Sequence, residues 1–148
     1  MVTRESIVRA ASGWLGTPYQ HQASLKGVGC DCLGLLRGVW REVIGDEPER
    51  PTPYSPAWAE LDAADPLLEA AGRHLVPVSE ARPGSVLIFR WRAGVSAKHC
   101  GIVSAPGRMI HAHDGACTAE VVIVPAWARR ITGIFDFPHM IDTPGVSD

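Results

Sequence analysis

Nothing in the sequence approaches the ~20 consecutive apolar residues of a membrane-spanning helix, so no membrane insertion is expected. The first residues, Met1-Val-Thr-Arg-Glu, carry charge where a secretory signal needs an apolar core. That leads to the expectation of a chain synthesised in the cytoplasm without a signal peptide. A large excess of either charge is also missing. A formal net charge of -2 and a pI near 6.3 supply no broad basic field for phosphate backbones, and nucleic acid is not expected as a partner. Cysteine is scarce. Residues 30, 32, 100 and 117 are too few for a disulfide scaffold, and in a reducing compartment they read as thiols, metal ligands or catalytic groups. Internal repeats and low-complexity segments are absent.

What is present is an ordinary globular composition, 46% apolar and 20% charged over 148 residues, enough for one domain around one core. Thr3 is a candidate N-cap, and Ile7, Ala10, Ala11 and Trp14 recur at helical spacing, which predicts a helix over 4–14 closed by Gly16-Thr17-Pro18. Tyr19 to Gly29 reads as a polar loop. A second helix is predicted after an N-cap at Asp31, with Leu35, Leu36, Val39, Trp40 and Val43 forming its apolar side and Gly45 its stop. Pro48, Pro51, Pro53 and Pro56 mark an extended surface connection. Trp58 to Gly72 is helical in composition, with a new start at Asp65-Pro66.

Beyond that point the period changes to two. Strands are predicted over 85–91, 99–104, 108–113, 118–124 and 131–137, with turns at Pro106-Gly107 and Asp114-Gly115. Helices first and strands afterwards is the α+β pattern: N-terminal helices packed on a central antiparallel sheet of about five strands. A single domain is expected over 1–137, with residues 138–148 as a tail and a candidate docking arm.

Cys32 falls in the first turn of the second helix, where unpaired backbone N–H groups and the positive end of the macrodipole favour thiolate. A random cysteine is more often a small buried residue, and Cys30, outside the helix, keeps that reading. A thiolate nucleophile needs a base and a group that orients the base. His99 opens one strand, and His111 and His113 share a face of the next, across the tight Pro106-Gly107 turn. Either is placed to stand behind His99. Zinc is the weaker reading, because Cys-x-Cys with His-x-His lacks the usual ligand spacing and Cys100 should face away from His99. A Cys30–Cys32 disulfide would close a very tight loop.

These segments, in order, are WLGTPY at 14–19, GCDCLGLL at 29–36, RPGSVLIF at 82–89, KHCGIV at 98–103 and GRMIHAHDG at 107–115. Together they resemble the NlpC-type cell-wall cysteine peptidases, a bacterial and phage branch of the papain-like fold. The resemblance implies Cys32 as nucleophile, His99 as base, His111 as the residue that orients the base, and Tyr19 near the substrate or the oxyanion. It implies no cofactor and no metal, and a peptidoglycan stem peptide as substrate, cut between D-glutamate and the diamino acid. The sequence departs from the family pattern at Leu33, at Ser85 and over Gln20 to Ser24, none of which touches the three catalytic side chains.

The compact form resembles most the peptidases carried on the tails of phages and gene transfer agents. Tail or baseplate proteins are then expected partners, and the expected place of action is an extracellular particle at the recipient cell wall. A structural tail component with a subsidiary or inactive site, and an acyltransferase of the same fold, are the alternatives.

Overall fold

The computed structural model describes residues 1–48, 65–91, 94 and 97–141. The prolines at 51, 53 and 56 and the helix expected from Trp58 lie outside the described residues up to 64. Helix α1 (Arg4–Ser12) starts at the expected cap: Thr3 Oγ1 accepts from the Ser6 N–H at 3.0 Å, and the Thr3 N–H donates to Ser6 Oγ at 2.8 Å. It stops two residues short of Trp14, at Gly13. The indole of Trp14 turns inward onto helix α2 (Cys32–Val43) and donates to Glu42 Oε1 at 3.0 Å.

The close contact between the helices depends on Gly38. A Cβ there would lie 1.9 Å from Trp14 Cζ2. Overpacking of this kind costs about 1–3 kcal/mol, more than the ~1 kcal/mol that alanine gains over glycine in a helix. Gly38→Ala is therefore expected to lower the urea midpoint at an unchanged slope, despite its better helix propensity. Helix α3 (Pro66–His74) begins at Asp65-Pro66 and runs past Gly72. Its Asp65 does not cap the helix; the carboxylate accepts instead from Arg90 Nη2 at 2.6 Å and from the Ala97 N–H at 3.0 Å.

The short strand β1 (Val2–Thr3) precedes α1, and β2 (Ser24–Leu25) pairs with β3 (Gly29–Cys30) as a small hairpin inside the segment read as a loop. Six further strands form one antiparallel sheet: β4 (Val76–Pro77), β5 (Val86–Phe89), β6 (His99–Ala105), β7 (Arg108–His111), β8 (Ala119–Val122) and β9 (Ile131–Asp136). Their order is β4-β9-β5-β6-β7-β8. The sixth strand, β4, has two exposed residues and a proline, so it carries no period-two signal. Met140–Ile141, in the segment read as a tail, forms β10 beside β1 in parallel. Residues 142–148 lie outside the described ones, and the docking-arm reading with them.

Alternation sorts the sheet residues between two clusters. Val86, Ile88, Cys100, Ile102 and Ile110 join the core under α1, α2 and α3. Leu87, Phe89, Val103 and Met109 form a smaller cluster on the other face, with Val121, Ile131 and Trp127 from the short helix α4 (Pro125–Ala128). The first face anchors the start of α2; His99 and His111 belong to the second. Arg4 ties α1 to the sheet through Asp136 at 2.8 Å, and the same carboxylate accepts from Ser85 Oγ at 2.8 Å.

Candidate active site

The start of α2 is built by its own loop. Asp31 is buried and extended, and its carboxylate accepts from the Gly34 N–H at 2.7 Å and from the Gln22 N–H at 2.8 Å. One side chain thus caps the helix and fastens the preceding loop, which turns at Gln22 with φ +64°. The Asp31 N–H donates back to the Ala23 carbonyl at 3.3 Å. Gly34 is required by this closeness: a Cβ would sit 1.9 Å from the same Ala23 oxygen. Cys32 then stands in the first helical turn, half-buried, its Sγ 3.9 Å from the Lys98 carbonyl oxygen. Tyr19 forms a parallel bridge with Cys30, which sets it beside this turn.

His99 is the first residue of β6 and His111 the last of β7. Their rings meet through His99 Nε2 and His111 Nδ1 at 2.9 Å. His113 lies beyond the end of β7, and its ring centroid is still 5.5 Å from that of His99. Its Nδ1, however, is 3.2 Å from the Asp114 carbonyl oxygen, so the hydrogen bond to His99 belongs to His111.

Two tryptophans that the sequence reading did not single out enclose the pair. Trp91 stacks on His99 with centroids 5.6 Å apart and planes at 18°, and Trp127 meets His111 edge-on at 5.6 Å. Alternation carried a signal for Trp91, which has the parity of Leu87 and Phe89. For Trp127, on a separate short helix, there was none.

The electrostatics divide the cysteines. The Cys32 thiol is held well below the ordinary range, foremost by hydrogen bonding from Cys100 and, against the cost of burial, by the hydrogen bond and charge of His99. The Asp31 carboxylate opposes this. Cys30 is pushed up by burial, although a contact with Thr118 Oγ1 at 3.3 Å works the other way. Burial, then the charges of Asp31 and Cys32, raise Tyr19 to about 12, so its phenol stays a donor. All four cysteines are free, and among the described residues no group of three His, Cys, Asp or Glu side chains is arranged to hold a metal ion.

Burial, then the charges of His99 and His113, lower His111 from 6.5 to about 4. It is therefore neutral at pH 7, and its Nδ1 can accept a hydrogen bond from His99 Nε2. Because the unfolded chain binds this proton near pH 6.5 and the folded one only near pH 4, stability falls as pH drops through that window. At ~1.4 kcal/mol per unit the wild type should lose about 3 kcal/mol more than His111→Gln between those limits. Urea midpoints against pH measure the difference.

A model of the NlpC/P60 family matches residues 16–136, which include Tyr19, Cys32, His99 and His111. The chain belongs to the NlpC/P60 family. It is 28% identical over 137 residues to the gamma-DL-glutamyl hydrolase of Bacillus subtilis (strain 168), covering 90% of this chain and 29% of that protein. To the gamma-D-glutamyl-L-lysine dipeptidyl-peptidase of the same organism it is 26% identical over 121 residues, covering 81% and 36%. It thus spans about a third of the length of these curated relatives.

Among solved structures, the NlpC/p60 domain of the peptidoglycan hydrolase SagA superposes with a TM-score of 0.65 at 23% identity, covering 92% of this chain and 100% of that one. An NlpC/P60 family protein from Bacillus cereus ATCC 10987 gives 0.66 at 18%, covering 90% and 40%. At these identities the likeness is one of fold, and the α+β architecture is that of NlpC/P60 domains.

Proposed function

We propose that this protein is a cysteine endopeptidase that cuts peptidoglycan stem peptides at the γ-linked bond between D-glutamate and the diamino acid. The reading is carried by one arrangement: a half-buried Cys32 at a helix start, acted on by His99, which is itself held by His111 at 2.9 Å. The names of the two Bacillus subtilis relatives support the choice of bond.

In the reaction, the Cys32 thiolate attacks the glutamyl carbonyl carbon. The backbone N–H groups of Cys32 and Leu33 precede the first intrahelical bond of α2 and have no carbonyl partner within the helix, so they are suited to the developing oxyanion. The Tyr19 phenol, neutral up to about pH 12, is a further donor there. His99 gives its proton to the leaving amine, which departs and leaves a thioester on Cys32. His99 then takes a proton from water, which attacks the thioester and frees the acid. Through both steps, neutral His111 accepts from the far nitrogen of His99 and fixes its ring.

Digestion of purified sacculi, with the products read by mass spectrometry, tests this. Fragments ending in D-glutamate with a freed γ-carboxyl, still joined upstream through its amino nitrogen, are expected; a different scissile bond, or an acyl group joined to an amine instead of water, would replace the reading. The further proposal, that a phage-like tail carries the protein to a recipient wall, rests on the resemblance to compact tail-borne peptidases. Proteomic analysis of tail particles purified from producing cells tests it, and absence of the chain from them would refute it.

A further inference from the structure

Cys100 is a thiol that the peptidase reading leaves unused. Alternation turns it away from His99 and onto the face covered by α2, where it is buried under the nucleophile's own turn. Its Sγ donates to the Cys32 carbonyl oxygen at 3.3 Å. The Lys98 carbonyl, two residues before Cys100, lies 3.9 Å from the Cys32 sulfur. The segment Lys98–Cys100 therefore runs along the nucleophile, with one thiol half-exposed above and one enclosed below. The remaining cysteines point elsewhere: Cys30 to Thr118 at 3.3 Å, and Cys117 to solvent.

We propose that Cys32 and Cys100 form a reversible disulfide that closes the site when a hydroperoxide oxidises the protein. This rests on Cys32 being the reactive thiolate of the peptidase reading. In the first step the Cys32 thiolate attacks the terminal peroxide oxygen, the O–O bond breaks, and the departing alkoxide takes a proton. Cys32 becomes a sulfenic acid, oxidised by two electrons, and the peroxide becomes an alcohol, or water from hydrogen peroxide. In the second step the Cys100 sulfur gives up its proton and attacks the sulfenic sulfur, the S–O bond breaks, and water leaves with that proton. A dithiol restores both thiols by exchange.

Burial fixes the order, since of these two sulfurs only that of Cys32 is reachable by the oxidant. Hydrogen bonding to the Cys32 sulfur, then burial, holds the Cys100 thiol protonated while Cys32 is a thiolate. Conversion of Cys32 to a neutral sulfenic acid removes that hold when the second thiol is needed.

The test treats the reduced full-length protein with hydrogen peroxide, blocks remaining thiols under denaturing conditions, and measures mass without reduction. The expected product is about 2 Da lighter before blocking, with Cys32 joined to Cys100. Trypsin without reduction should release residues 27–37 linked to 99–108, and fragmentation should find Cys30 blocked. Dithiothreitol should return the wild type to its untreated activity.

Cys100→Ala and Cys100→Ser, each compared with its own untreated sample, should form no link and should pass to sulfinic acid, about 32 Da heavier and not recovered by dithiothreitol. Sulfinic acid on Cys32 in the wild type without the link would overturn the proposal, as would a link to Cys30 or Cys117. The mass readout needs no hydrolysis. A protein that forms the link on oxidation but releases no stem-peptide fragments in its untreated, reduced state would therefore overturn the peptidase reading and leave the disulfide standing.

Discussion

Cys32→Ala is expected to abolish release of stem-peptide fragments from sacculi, by at least ~10⁴-fold, while the protein stays folded. The size follows from the proposed chemistry: without the sulfur no thioester can form, and what remains is the effect of binding and oxyanion donors alone. The fold should tolerate the change. Cys32 is half-buried, and α2 is started by Asp31 and packed through Gly34, Leu35, Gly38 and Val39. Cys30→Ala is the matching control. Its sulfur contacts Thr118 on the other side of β3, so stability should fall by about 1 kcal/mol while cleavage persists. Cleavage that survives in Cys32→Ala would remove this residue from the reaction; loss in both variants with intact folding would make the pair one functional unit.

The position of Cys32 was legible because its cause is local. An N-cap aspartate ahead of an apolar helical repeat places the next residue in the first turn, and Asp31 does so with a 2.7 Å hydrogen bond to the Gly34 N–H. The meeting of His99 with His111 was legible for a similar reason, since a tight turn at Pro106-Gly107 makes two short strands neighbours. Alternation likewise turned Cys100 away from His99. It did not say what lay on that side, because nothing in the strand records that α2 packs there.

The hairpin at 24–30, the edge strand at 76–77 and the pairing of 2–3 with 140–141 escaped for want of length: two residues show no period, and tertiary contact alone makes them strands. Trp127 escaped as well. Its place over the histidines depends on where a four-residue helix crosses the far face of the sheet.

His99→Ala is expected to lose two things that can be measured apart. The first is proton transfer: no other group donates to the leaving amine in the proposed step, so stem-peptide release should fall ~10²–10⁴-fold. The second is the state of the sulfur. In the wild type, hydrogen bonding from Cys100 and the hydrogen bond and charge of His99 lower the Cys32 thiol, against burial and Asp31. Iodoacetamide should therefore modify Cys32 rapidly at a pH where an ordinary thiol, with a pKa of ~8.5, is mostly protonated. Removing His99 deletes two of the lowering influences and leaves both raising ones, so the alkylation profile should move to higher pH.

His111→Gln should behave differently. It leaves the imidazole beside the sulfur, so low-pH alkylation should persist while hydrolysis slows through a less fixed ring. An alkylation profile unchanged in His99→Ala, together with lost hydrolysis, would confine His99 to the leaving group. The thiolate would then depend on Cys100 and the helix start alone.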